Sequence, residues 1–193
     1  MRRPDSLLFA SIRGTILNRY AFFFGLTFLL TSCVIRDRTH KIVISVADQK
    51  MRVLNQGNPL AEYPVSTSKY GLGDRPGSRA TPLGRLEIAR KIGEDARSGT
   101  VFKNRVPTGE WLPPNAPGRD PIVSRILWLR GLERGNRNAY GRYIYIHGTV
   151  EERNLGRPVS YGCIRMRSSD VIELFNTVGI GAEVEILNAS LPN

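Results

Sequence analysis

At 193 residues the chain is long enough for one domain with a buried core plus a modest extension, and leaves little room for a second module. Its 41% apolar and 23% charged content excludes a disordered polymer, while nineteen glycines and twelve prolines favour a turn-rich, mainly β fold over a helical bundle. The net charge of +11 favours polyanionic surroundings, yet no zinc-finger, basic-zipper or aromatic RNA-binding pattern accompanies it.

The extension lies at the N-terminus. Arg2, Arg3, Arg13 and Arg19 precede the apolar run AFFFGLTFLL at 21–30, which has the order of a secretory signal and is short for a bilayer span. The run ends in LTSC, residues 30–33, which resembles the lipobox of bacterial lipoprotein signals. That resemblance makes residues 1–32 a signal peptide, Cys33 the acylated N-terminus, and 33–40 a polar tether. Burial of the lipid's methylenes, at about 0.8 kcal/mol each, would hold the anchor. A plain signal peptide or a short signal anchor is the alternative, and either places the domain outside the cytoplasm. Val34 stands where inner-membrane lipoproteins of some bacteria carry aspartate, so a periplasmic domain on the outer membrane is preferred. Without residues 1–32, which hold four arginines and one aspartate, 24 basic and 16 acidic groups remain, net +8. For an exported chain an anionic cell wall suits this charge better than nucleic acid.

From Lys41 the pattern predicts strands at 42–47, 50–54 and about 60–66, separated by turns near Asp48–Gln49 and at NQGN. KYGLGDRPGSRATPLG reads as loop and RLEIARKI as a strand. Residues 93–120 lose regular patterning; five prolines between 105 and 122 suggest a long irregular, lid-like cover. Order resumes at 122–132, and YGRYIYIHGT predicts a strand running into His147. RSSDVIELFNTVG has the marks of a helix, with Ser168, Ser169 or Asp170 as cap, a stripe of Val171, Leu174, Phe175 and Val178, and Gly179 as its stop. AEVEIL, 182–187, makes a last strand before a tail at 189–193.

The chemistry concentrates in HGTVEERNLGRPVSYGCIRM, residues 147–166. If Cys33 is lipidated, Cys163 has no partner for a disulfide, and an unpaired thiol in an oxidising compartment is exposed to oxidation. It is then either fully buried or employed. His147, at a strand end and followed by Gly148, can reach a loop returning sixteen residues later. Gly162 permits close approach or a positive φ, and backbone N–H groups of Gly162 and Cys163 form a candidate oxyanion hole. Arg165 and Arg167 add positive potential that favours a thiolate and attracts carboxylates. Spacing alone leaves a Cys163–His147 catalytic pair and a buried sulfur near an unrelated histidine evenly balanced.

HGT followed by LGRPVSYGCIRM resembles the signature of the L,D-transpeptidases, cysteine enzymes that cross-link bacterial cell walls. The likeness extends to TPLGRLEI upstream and to the helix and final strand downstream, about residues 41–188. It implies a β-sandwich with one or two short helices, Cys163 as nucleophile, His147 as base, and a backbone carbonyl, that of Gly148, orienting the imidazole. Ser160, Tyr161, Gly162 and Arg165 take supporting positions for substrate or oxyanion. Many members carry histidine where Tyr161 stands, and some carry asparagine where Arg165 stands; Tyr161 is no base near neutrality.

The implied reaction is acyl transfer: a thioester with a peptidoglycan tetrapeptide stem, release of D-alanine, then transfer to an amine, in cell-wall biogenesis. Carbapenems should acylate Cys163 on the same resemblance. Water as acceptor would make an L,D-carboxypeptidase, and a non-catalytic wall-binding lipoprotein would keep the fold without needing the thiol. Papain-type and wall-hydrolase thiol peptidases place cysteine before histidine, the reverse of the order here. No cofactor or metal is expected, because one core histidine and one thiol cannot supply a zinc set. The expected partners are stem peptides and a membrane, with a monomeric domain. Trp111 and Trp128 read as packing residues more than substrate platforms. Arg130, Arg134, Arg137 and Arg142 read as solvated, or together as a basic rim, and Glu151 and Glu152 as exposed.

Overall fold

The computed structural model describes residues 35–192, so the signal-like segment and Cys33 lie outside the described residues. Short apolar-alternating segments dominate, as the composition requires. β1 (His40–Ser45), β2 (Lys50–Asn55) and β3 (Asn58–Pro64) form an antiparallel meander. β4 (Gly84–Ile92) and β7 (Ile122–Gly131) are the long central strands, and β10 (Glu183–Leu187) lies between β1 and β4. β8 (Tyr145–Gly148) pairs with β7, and β9 (Ile164–Met166) adds to β8 in parallel. The one α-helix among the described residues, α1 (Ser168–Thr177), follows β9 directly; Arg134–Asn136 and Glu152–Asn154 are single 3-10 turns.

Hydrogen bonding runs in the order β3-β2-β1-β10-β4-β7, then forks at β7 toward β5–β6 and toward β8–β9. Just beyond β3, Ser66 and Arg165 exchange backbone bonds of 3.0 and 2.9 Å, which joins the first layer to β9. The strands therefore close on themselves, and the seam falls beside the HGT and SYGCIRM segments. Inside lies the main apolar core. Ile42 and Ile44 of β1, Leu86 and Ile88 of β4, Leu127 and Leu129 of β7, Ile146, Ile164, Met166 and the α1 stripe residues Val171, Leu174 and Phe175 all belong to it. These side chains drive closure, since burying each one stabilises by roughly 1.5–3 kcal/mol relative to exposure.

Four expectations are corrected. Residues 93–120 are not irregular throughout: β5 (Thr100–Lys103) and β6 (Val106–Trp111) form a hairpin whose β5 edge pairs with β7. Its turn residues Asn104 and Arg105 both have positive φ, as a two-residue hairpin of this hand demands. Pro107 is tolerated because β6 lies at a sheet edge, and β6 buries no residue, so it carries no apolar signal in sequence. The helix is not capped by its own serines or Asp170. Arg167 holds the cap position without a side-chain bond, and Glu152 Oε1 accepts from the Ser168 N–H at 2.9 Å. The turn ends at Val178, whose extended backbone precedes Gly179. Finally, residues 36–40 are not a free tether. His40 opens β1, the Asp37 N–H donates to Ile180 O at 2.7 Å, and the Gly179 N–H donates to Asp37 Oδ2 at 2.7 Å. Burial pushes the Asp37 carboxyl up, but hydrogen bonds from Gly179, His40 and Thr39 outweigh it and hold the group well below the carboxylate range.

Candidate active site

The parallel register pairs Ile146 with Ile164, His147 with Arg165, and Gly148 with Met166. Because side chains alternate along a strand, Ile146, Ile164 and Met166 enter the core. His147 and Arg165 then fall on the opposite face, together with Tyr145 and the preceding Cys163. Two distant sequence segments thus present Cys163 and His147 on one surface. That placement follows from the apolar alternation itself.

A tight turn holds Cys163. Ser160 Oγ donates to Cys163 O at 2.6 Å and accepts from the Gly162 N–H at 3.2 Å, so one of the two candidate oxyanion donors is engaged with Ser160. Ser160 is wholly buried and acts as a staple, out of reach of a substrate. Gly162 has φ +119°, a conformation side chains rarely adopt, and a Cβ there would lie 3.3 Å from the carbonyls of Arg79 and Ala80. Thr81 Oγ1 accepts from the Ser68 N–H at 3.0 Å and donates to Gly162 O at 3.1 Å. The TPLG segment thereby ties the 66–68 strand extension to the cysteine turn.

His147 is 5% exposed, and its Nδ1 lies 2.8 Å from Gly148 O. A carbonyl only accepts, so Nδ1 carries the proton and Nε2 keeps its lone pair. Burial lowers the imidazole to about 4, against upward contributions from the Gly148 carbonyl and the Asp120 charge. The ring is therefore neutral at pH 7. Gly148 must be glycine, since a Cβ would meet Val123 O at 2.6 Å across the β7–β8 pair.

The thiol is partly accessible yet closely surrounded by protein, packing against a cluster of Phe102, Ile126, Trp128 and Tyr145. Cys163 Sγ donates to Tyr143 O at 3.3 Å rather than to the imidazole. Burial pushes the thiol up to about 11, opposed by the Tyr145 N–H and by the charges of Arg165 and Arg142. At rest the strand face accordingly carries a neutral thiol and a neutral imidazole.

Arg165 is fixed behind His147. Its Nη2 lies 3.0 Å from Asp120 Oδ2 and its Nη1 3.3 Å from Glu151 Oε2. Asp120 Oδ1 in turn accepts from Thr149 Oγ1 at 2.6 Å and from the Val150 N–H at 3.0 Å. This carboxylate sets the turn that leaves His147–Gly148. Arg165 is thus a buried structural cation whose field reaches both His147 and Cys163, and it is not free to take a substrate carboxylate. Arg167 instead pairs with Asp170 at 3.8 Å on the helix. Arg142 is also not a rim residue: 8% exposed, it binds Asp74 Oδ1 at 2.9 Å and donates to Gly73 O and Ala80 O. It locks the 73–80 loop that backs Gly162. Arg130 pairs with Glu87. Glu151 and Glu152 are half-buried partners of Arg165 and the helix, not exposed spacer residues.

Of the aromatics, Trp128 is buried and stacks on Tyr140 with centroids 4.2 Å apart, whereas Trp111 is exposed on β6. Tyr161 is 53% exposed, and Lys69 Nζ lies 3.3 Å from its hydroxyl and 4.6 Å from its ring centre. Sequence reasoning missed Asp120, Asp74 and Lys69, which stand far from the motif along the chain. Only the aspartate preceding Pro121 in GRDPI hinted at a fixed turn.

The family model for the L,D-transpeptidase catalytic domain, YkuD, matches residues 39–186. The probable L,D-transpeptidase ErfK/SrfK of Escherichia coli (strain K12) is 44% identical over 159 residues, 80% of this chain and 46% of that protein. The probable L,D-transpeptidase YcfS of the same strain is 29% identical over 155 residues, covering 78% and 44%. The chain spans about half the length of the curated relatives it matches. A crystal structure of L,D-transpeptidase 3 from Mycobacterium tuberculosis overlaps at a TM-score of 0.49 with 18% identity, over 77% of this chain and 61% of that one.

Proposed function

The chain belongs to the YkuD family of L,D-transpeptidase catalytic domains, and from that premise we propose that it is a peptidoglycan L,D-transpeptidase with Cys163 as nucleophile and His147 as general base. The observation that carries this reading is the imidazole held by Gly148 O with Nε2 unprotonated, on the same strand face as the only cysteine among the described residues.

In this reaction the Cys163 thiol leaves Tyr143 O and turns its proton to the imidazole. Sulfur attacks the carbonyl of the third residue of a tetrapeptide stem as Nε2 takes the thiol proton, so a C–S bond forms without a free thiolate. With the Gly162 N–H engaged by Ser160, the Cys163 N–H is the remaining candidate donor of this turn for the developing oxyanion, a contribution of about 3 kcal/mol. The tetrahedral adduct collapses, the C–N bond to D-alanine breaks, and the imidazolium returns its proton to the leaving amine. An acceptor amine then attacks the thioester, His147 takes its proton, and the thiol is regenerated as the new amide forms. Arg165 and Arg142 lower the cost of negative charge on sulfur during attack.

Export by residues 1–32 and lipid anchoring at Cys33 complete the reading and rest on the sequence order alone. The test is mass spectrometry of products from purified tetrapeptide muropeptides. Wild type is expected to release D-alanine and form an amide with an added stem, and Cys163→Ala to do neither while remaining folded. Turnover by that variant would overturn the nucleophile. A carbapenem is expected to add its mass to wild type and not to Cys163→Ala.

A further inference from the structure

The segment 36–40 is clasped to the domain on a seat built of glycines. Asp37 bonds to the Gly179 N–H and to Ile180 O, and Arg36 pairs with Glu87. A Cβ on Gly179 would lie 2.9 Å from Asp37 Cβ, and one on Gly181 3.0 Å from Arg36 Cβ, so the seat has no room for side chains. Ile35, immediately before this clasp, is 91% exposed. With Lys91, Glu94, Phe175 and Ile180 it walls a shallow cavity of about 300 Å³. Positive charge is in surplus around it. Arg36 shares the one carboxylate of Glu87 with Arg130. Arg38 is exposed, and neither it nor Lys91 has a carboxylate within 4.0 Å among the described residues; Lys91 Nζ donates to Val178 O at 2.8 Å and lies 4.3 Å from the Phe175 ring centre. Glu94 is the one acid among the cavity's lining residues.

We propose that this face, formed by Ile35, Arg36, Arg38, Lys91 and Ile180, rests on an anionic lipid surface and fixes how the domain stands on its membrane. The inference rests on the reading of Cys33 as the lipidated residue. Ile35 follows Cys33 by two positions, and an extended chain gains at most about 3.6 Å per residue, so the acylated residue stays within about 7 Å of the clasp. A tether that short, ending in a fastened segment, leaves the domain little freedom to turn away from the bilayer. The chemistry of the face suits that position: an exposed isoleucine enters the headgroup boundary, and unpaired cations meet phosphates. Orientation follows from the helix. The clasp sits just past the C-terminal end of α1, whereas β9 and the Cys163 turn lead into its N-terminal end. Its ten residues span about 15 Å, so the lipid-side face and the thiol lie toward opposite ends of α1 and the catalytic turn is held off the bilayer.

The experiment uses the full chain, purified with its lipid and reconstituted into vesicles. In a Cys163→Ser background a fluorescent dye is attached at Glu94→Cys on the face or at Tyr161→Cys beside the catalytic turn, and quenching by a headgroup-labelled phospholipid is measured. In vesicles containing phosphatidylglycerol the dye at position 94 is expected to be quenched about fivefold more than the dye at position 161, the scale of one basic residue at an anionic surface. Vesicles of phosphatidylcholine alone, or added salt, should shrink that contrast. Ile35→Asp combined with Arg38→Glu should bring it near unity; both residues are exposed, and thermal melting checks that the fold is kept. Equal quenching at the two positions, or a contrast unchanged by the double substitution, would overturn the lipid contact. Shielding of position 94 that follows protein density and ignores lipid charge would assign the face to a second copy of the chain and overturn it as well. Intact mass reads the anchor separately. A mature chain without lipid on Cys33 would overturn the anchoring reading and the face with it, whereas a lipidated chain with no contrast overturns the face alone.

Discussion

The two faces of the β8–β9 pair are made by the same short strands yet obey different physics. The inner face, Ile146, Ile164 and Met166, is wholly buried and interchangeable in character: each side chain needs only volume and hydrocarbon neighbours. On the outer face, His147 needs Gly148 O and Arg165 needs Asp120 and Glu151. Inward packing is tolerant and strong, while outward placement is specific and costly to disturb. The core face thus fixes the strands, and the strands present a chemistry the core does not itself require.

The sharpest way to separate the faces is to remove one atom outside and several inside. Cys163→Ala is expected to lower turnover by at least about a thousandfold with an unchanged urea midpoint, because the sulfur serves chemistry more than packing. Ile164→Ala, one residue later, should reverse that pattern. It is expected to cost about 2–5 kcal/mol in urea unfolding, read alongside residual activity per folded molecule. Equal effects of the two substitutions on stability would break the division.

An outer-face residue can nevertheless carry the fold. Arg165→Met leaves the buried Asp120 carboxylate uncompensated beside the closing Ser66–Arg165 bridge, so a loss of about 3–5 kcal/mol is expected in the same unfolding measurement. Double substitution with Asp120→Asn should recover part of it.

Acidity gives a finer probe. Burial holds folded His147 near 4 against an ordinary 6.5, so the unfolded chain binds its proton first as pH falls. Stability contributed by the neutral ring is complete above pH 6.5 and declines toward pH 4, by about 3 kcal/mol at 1.36 kcal/mol per unit. Midpoints measured from pH 7 to 4 should show this slope in wild type and lose it in His147→Gln. The smallest effect is reserved for the exposed rim. Tyr161→Phe removes one hydroxyl contact to Lys69 and should change stability by less than about 1 kcal/mol, measured by thermal melting.

Much of this molecule was legible in one dimension. Alternation located β1–β4, β7 and β10 within about two residues, the helical stripe located α1, and HGT with SYGCIRM pointed to His147, Gly148 and Cys163. Such signals are local: strand and helix periods repeat within a few residues, and a motif is contiguous by definition. β5–β6 escaped because its outer strand buries nothing, and β9 because three residues are too few to show a period. What only the tertiary structure decided was the company each residue keeps. Ser66 closing on Arg165, Asp120 shaping the turn after His147, Arg142 reaching Asp74 and Lys69 resting on Tyr161 all join positions far apart in the chain. Charge partners have no period, and a buried arginine reads like any solvated one until the strands that bury it have closed. The sequence alone thus determined which residues are candidates for the chemistry, and the closed sheet decided which of the surrounding charges are spent on structure.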